Sequence, residues 1–171
     1  MLRYLIEWRI SAMEKQVGAS LEYVRHIAKV SLPALNAFGM SRELLRYRRK
    51  ASASLIHIAR IGAVQQEDCG PCLQIVVNLA KKEKTPVEHI RAAVDRKPDA
   101  LPDDLAEVYR FAAAVASGDS DQSSARDRIR RRHGEEVLVE LAMAIASSRL
   151  IPTLKRGLGY AESCRMTGVR V

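Results

Sequence analysis

Apolar residues recur at helical spacing along almost the whole chain, and the strict alternation of a half-buried strand is missing, so the pattern predicts an all-α fold. Leu2, Leu5, Ile6, Ile10, Met13 and Val17 form a first stripe that Gly18 ends. Ser20 is placed to cap a second helix through Leu21, Val24, Ile27 and Ala28, interrupted by Pro33. Asn36 to Met40 reads as a connection. Ser41 and Glu43 then open a long third helix reaching about Gln65, with Leu44, Leu45, Ile56, Ile58, Ala59, Ile61 and Val64 among its apolar positions. Asp68, Gly70 and Pro71 mark a tight break, after which Cys72, Leu73, Val76, Val77 and Ala80 resume the stripe.

Thr85-Pro86-Val87-Glu88 reads as a capping box with proline at the first helical position, opening a short helix to about Val94. Lys97 to Pro102 is a loop, and Asp103 begins a helix that Ser117-Gly118-Asp119 stops. A charged segment from Ala125 to His133 follows. Gly134 separates it from a last long helix, Glu135 to about Leu150, beyond which Pro152, Gly157 and Gly159 predict a kink or a second short helix. No internal repeat or low-complexity linker interrupts this order.

With 171 residues, 47% of them apolar and 28% charged, the chain fits one folded domain and neither a disordered tail nor a collagen-like or linker-like polymer. The longest apolar run, Leu138 to Ile151, is cut by Glu140 and Arg149 and falls short of the ~20 residues of a membrane span. Arg3, Glu7 and Arg9 break the apolar core that a signal peptide would need, which points to the cytoplasm. Three cysteines are too few for a secreted disulfide framework. Two of them, Cys69 and Cys72, stand three apart, a spacing that inside a reducing cell suggests redox or metal chemistry, while Cys164 stands alone.

Cys69-Gly70-Pro71-Cys72 sits where the break gives way to a helix, so the pair falls in the first helical turn. Free N–H groups and the positive end of the helix dipole stabilise a thiolate there, lowering a cysteine pKa from about 8.5 toward neutrality. Cysteines three apart can also close into a disulfide. Pro71 stiffens the loop and Gly70 allows close backbone approach. Glu67 and Asp68 act the other way: Asp68 is a good helix cap, yet a carboxylate beside thiols raises their pKa unless it relays protons. Simple packing of two small residues is the plain alternative. Zinc would need four ligands, and Cys164 with His26, His57, His89 and His133 supplies none at ligand spacing, so neither metal nor cofactor is expected. Thioredoxins share the tetrapeptide but set it after a β-strand in an α/β fold, whereas a long helix precedes it here.

The chain from about Ser41 onward resembles the AhpD-like (alkylhydroperoxidase D-like) branch of the carboxymuconolactone decarboxylase superfamily. The motif of that branch reads Glu, eleven residues, Cys, two residues, Cys, three residues, His. His57, IARIGAVQQED, Cys69, Cys72 and Val76 align with it without gaps; both cysteines match, His57 replaces the Glu, and Val76 replaces the His. The closing segment AMAIASSRLIPTLKRGLGYAESC, with Arg149 and Cys164, is also similar to members of the superfamily. The resemblance implies an all-α bundle of AhpD-like type. It also implies a dithiol–disulfide cycle at Cys69 and Cys72 that reduces a peroxide or a partner disulfide, and a homo-oligomer. On that reading residues 41–171 are the core and residues 1–40 a helical extension, whose stripe of Leu2, Leu5, Ile6 and Ile10 is a candidate interface. If the two helices make a hairpin centred near residues 66 and 67, position 57 faces position 76, and His57 supplies the proton transfer that the motif's His would supply. The alternative is a hydrogen-bonded histidine with no part in the chemistry.

Lys and Arg outnumber Asp and Glu by 28 to 20, a net charge of +8. Arg42, Arg46, Arg48, Arg49 and Lys50 form one basic cluster, and Arg126, Arg128, Arg130, Arg131, Arg132 and His133 another. Interleaved acids and the scarcity of aromatics beyond Tyr47 argue for solvated faces or an interface rim over nucleic-acid binding. A non-catalytic helical interaction protein with structural or regulatory cysteines is the main competing reading, and a basic nucleic-acid-binding domain the lesser one.

Overall fold

The computed structural model describes residues 2–119, 122–160 and 169–171; Cys164 lies outside them. Among the described residues the fold is helical without a strand, in nine α-helices: α1 Leu2–Val17, α2 Glu22–Val30, α3 Leu32–Arg46, α4 Ala53–Val64, α5 Gly70–Lys82, α6 Val87–Val94, α7 Asp103–Ser117, α8 Ser123–His133 and α9 Glu135–Gly157. The expectation of an all-α chain holds.

At the centre is α4, whose sequence LIHIARIGAV is apolar around nearly its whole circumference. A helix of that kind is stable only when surrounded. Every residue from Leu55 to Val64 is buried, and α5, α6, α7 and α9 pack around it. The approach of α7 is close enough to require glycine: a Cβ on Gly62 would lie 2.8 Å from the Tyr109 carbonyl oxygen. A second apolar cluster joins Ile10, Leu21, Tyr23 and Val24 to Ile151, Leu154 and Leu158, so the N-terminal helices pack on the last turns of α9. Asn78 on α5 anchors them further, donating to the Val17 carbonyl at 2.8 Å.

Several local expectations need correction. Ser20 does not cap α2, which starts from Leu21 without a side-chain cap. Pro33 does end the second stripe, but it sits in the first turn of α3, with Ser31 as the cap accepting from Ala34 N–H. Asn36 to Met40 is therefore helix, and the boundary drawn at residue 40 falls inside α3. The predicted continuous helix from Ser41 to Gln65 is two helices. The break comes from α9: the buried Glu140 carboxylate accepts the backbone N–H groups of Arg49, Lys50 and Ala51, each at 2.9 Å, and Ser52 then caps α4. Three successive N–H groups turned toward one carboxylate cannot also belong to a helical ladder. The capping box at Thr85 does not form. Pro86 takes the cap position, and the buried Thr85 hydroxyl has no hydrogen-bond partner.

Pro152 neither ends nor divides α9, which runs on to Gly157. By length and composition α9 could cross a membrane, yet half of its apolar stretch is buried inside this protein, as befits a core helix. The N-terminal stripe proposed as an interface is also split. Ile10 is buried and Ile6 packs against the same cluster, while Tyr4, Leu5 and Trp8 are exposed.

Candidate functional site

Between α4 and α5 the chain turns through a short 3-10 segment, Gln65–Glu67, and then Asp68 in the left-handed region at φ 47°. Cys69 takes the N-cap position of α5, correcting the expectation that Asp68 would hold it, with Gly70 and Pro71 as the first two helical residues and Cys72 the third. The missing N–H of Pro71 falls where helical N–H groups have no intrahelical partner anyway. Cys69 and Cys72 are joined by a disulfide, with their Cα atoms 5.2 Å apart, inside the usual range for such a bond. Both are buried, at 2% and 6% exposure.

The turn that presents them is held from two sides. On one, the Tyr109 hydroxyl donates to Gln65 Oε1 at 2.7 Å, Gln65 Nε2 donates to the Val94 carbonyl at 2.9 Å, and Arg96 donates to the Gln65 carbonyl at 3.3 Å. On the other, two arginines of α9 clamp Glu67. Arg149 Nε donates to Oε1 at 2.5 Å, and Arg156 Nη2 donates to Oε2 while its Nη1 reaches the Glu67 carbonyl at 3.3 Å. Burial pushes the Glu67 carboxyl up, but the hydrogen bonds and charges of Arg156 and Arg149 outweigh it and hold the group below the ordinary carboxylate range. Glu67 is therefore ionised, with its negative charge answered twice over. Two residues past Cys72, Gln74 makes a two-way contact with the C-terminal residues, accepting from Arg170 N–H at 2.7 Å and donating to its carbonyl at 3.1 Å.

No family model, curated protein or solved structure matches this chain.

His57 is not at the cysteines. The pairing of α4 with α5 is centred near residue 70, so position 57 lies against the far end of α5, where His57 Nε2 stands 3.4 Å from Glu83 Oε2. Eleven residues separate Cys72 from Glu83, which along a helix is about 16 Å. Proton transfer needs hydrogen-bond reach or one bridging water, so the expected position opposite residue 76 is corrected and His57 cannot serve the sulfurs directly. The imidazole is fully buried and neither ring nitrogen meets hydrogen-bond geometry. Burial first, then the Arg60 charge, press its pKa down to about 4 against the opposing pull of Glu83. Arg48 shares that carboxylate at 3.0 Å, and the buried Arg60 donates to the Leu45 carbonyl.

Sequence reasoning brought Cys69, Cys72 and Glu67 to one place and missed Arg156 and the role of Arg149. A signal did exist: the two arginines are seven residues apart, two turns of one helix face. Their partner lies 82 and 89 positions away, which no local pattern could supply. Among the described residues no three His, Cys, Asp or Glu side chains gather as a metal site. A groove of about 770 Å³ between α7 and α8 is lined by Arg110, Arg128, Arg131 and Arg132 together with Asp99, Asp103 and Glu107. Arg110 is paired with Asp99 and Arg128 with Glu107, so this basic segment is largely a surface of ion pairs.

Proposed function

We propose that the protein is a thiol oxidoreductase of AhpD-like type, working through a Cys69/Cys72 dithiol–disulfide cycle. The observation that carries this reading is the bonded pair at the first turn of α5. In the reduced protein Cys69 stands at the N-cap position of α5, whose first turn offers the N–H groups of Gly70 and Cys72 without intrahelical partners, Pro71 having none. That arrangement favours Cys69 as the thiolate. It attacks one sulfur of a partner disulfide, whose S–S bond breaks and whose other sulfur leaves as a thiolate that takes a proton from water. The Cys72 thiolate then attacks Cys69 in the mixed disulfide, releasing the second partner thiol and closing the Cys69–Cys72 bond. Two electrons pass from the dithiol to the partner. With a hydroperoxide, Cys69 takes the terminal oxygen and an alcohol leaves; Cys72 then condenses with the sulfenic acid and water leaves. A cellular dithiol resets the couple, which fits a cytoplasmic setting. A second copy of the chain would find exposed Tyr4, Leu5 and Trp8 as an apolar contact, in keeping with a homo-oligomer.

The near-complete burial of both cysteines favours a second reading, a helical interaction protein in which the disulfide is a permanent brace. Mixing fully reduced protein with hydrogen peroxide, cumene hydroperoxide or bis(2-hydroxyethyl) disulfide separates the two. A redox enzyme loses two thiols per oxidant consumed, Cys69→Ser abolishes the reaction, and Cys72→Ser stalls at a mixed disulfide or sulfenic acid. A brace shows no turnover with any of the three.

A further inference from the structure

Glu67, Arg149 and Arg156 form a cluster that the dithiol chemistry does not itself use. The Glu67 side chain is 3% exposed, whereas those of Arg149 and Arg156 are 47% and 45% exposed, so the buried member is the anion and the two cations reach from α9 to meet it. One carboxylate against two guanidinium groups leaves a net charge of +1. The cluster is also near the sulfurs. Arg156 Nη1 stands 3.3 Å from the Glu67 carbonyl oxygen, and two residues of chain, from Glu67 to Cys69, span at most about 7 Å.

We infer that Glu67, Arg149 and Arg156 are positioning residues that set the charge state of Cys69 and so poise the Cys69–Cys72 couple. The inference rests on the oxidoreductase reading above. Glu67 fixes the turn that leaves Cys69 at the head of α5, and the two arginines convert what would be a thiol-protonating carboxylate into a net cationic neighbour that favours the thiolate. The other groups facing this turn do not reproduce that balance. Asp68 is exposed, so water screens its charge, the Tyr109 hydroxyl donates to Gln65, Arg96 bonds to the Gln65 carbonyl, Arg170 meets Gln74 through its backbone, and the α4 residues packed here, Ile61 to Val64, carry no charge.

The charge account differs from a purely mechanical one in sign. Glu67→Gln keeps the side-chain shape and raises the local charge, while Arg149→Gln and Arg156→Gln each lower it. In a protein carrying Cys72→Ser and Cys164→Ser, Cys69 is the sole thiol, and its titration is read by thiolate absorbance in the folded protein without any need for a reagent to enter. The expected order of midpoints is Glu67→Gln lowest, the parent intermediate and below 8.5, and both arginine variants highest. Each step is about one pH unit, the size expected of a unit charge roughly 8 Å away at an effective dielectric of about 20 to 40. If the cluster only braces the turn, all three variants move the midpoint the same way, toward the free cysteine value, or leave it unmoved; either result overturns the inference. The couple itself is followed separately in the wild-type protein. Its absence there would overturn the oxidoreductase reading, whereas a working couple combined with same-direction midpoints would overturn this inference alone.

Discussion

At the head of α5, Glu67 lies between two arginines with both carboxylate oxygens bonded; at its foot, His57 lies against Glu83 with neither ring nitrogen hydrogen-bonded. Both ends bury an ionisable group, and the difference is in how each is compensated. The arginines of α9 are half-exposed and long enough to meet Glu67 while keeping part of each head in water, so the carboxylate stays charged. His57 is enclosed on the central helix, beside Arg60, and stays neutral. The end holding the sulfurs is thus electrostatically set and has no proton-carrying imidazole, whereas the end holding the imidazole is remote from the chemistry.

The contrast breaks most severely through the loop before α4. Glu140→Ala strips the acceptor from three backbone N–H groups that turn the chain at residues 49–51, beside Arg48 and the His57 end. A loss of about 4 kcal/mol in chemical denaturation is expected, from charge-assisted hydrogen bonds and the unsatisfied donors left behind.

His57 gives the next effect. Its folded pKa of about 4 lies below the unfolded value of 6.5, so the unfolded chain binds the extra proton first as pH falls. Stability from this group is complete above pH 6.5 and is lost progressively down to about 4, by about 3 kcal/mol. His57→Leu should flatten that slope and add about 1 kcal/mol at pH 7, because no hydrogen bond is given up. Denaturation midpoints of both proteins at pH 7, 5.5 and 4 would show it; equal slopes would mean the imidazole is not buried neutral.

Glu67→Ala is expected to cost about 2 kcal/mol, less than Glu140→Ala because its partners are half-exposed and regain water. Glu67 and Glu140 are both held below the usual carboxylate range, so their contribution is present above pH 4.5 and is lost as pH falls through their lowered values. Acid unfolding below the His57 window should therefore shift to higher pH in arginine variants that release Glu67. The smallest effect concerns the anchoring of the N-terminal helices: Asn78→Ala removes one hydrogen bond to Val17 and should cost about 1 kcal/mol. It should leave the titration of Cys69 unmoved.

The helical class, the extents of α1, α7 and the start of α9, and the placement of the cysteine pair at a helix start were all legible, because each depends on periodicity or on a breaker close by in sequence. The split between α3 and α4 was not. Residues 47–52 carry no strong breaker, and the chain turns there because Glu140 reaches it from about ninety positions away. The same limit misplaced His57: moving the centre of the helix pairing from residues 66 and 67 to about residue 70 moves its partner from Val76 to Glu83, from the middle of α5 to its C-terminal end. Thr85 failed for a local reason, since Pro86 took the cap position that its hydroxyl was expected to fill.

The most direct test of the account is a redox titration of Cys69 and Cys72, in which the folded protein is equilibrated across defined glutathione or dithiothreitol ratios, alkylated and weighed intact. The account predicts a reversible two-electron couple between about −180 and −320 mV, lost in Cys69→Ser and in Cys72→Ser and unmoved in His57→Leu. Cysteines that never pair, or a bond that resists reduction until the protein unfolds, would contradict it.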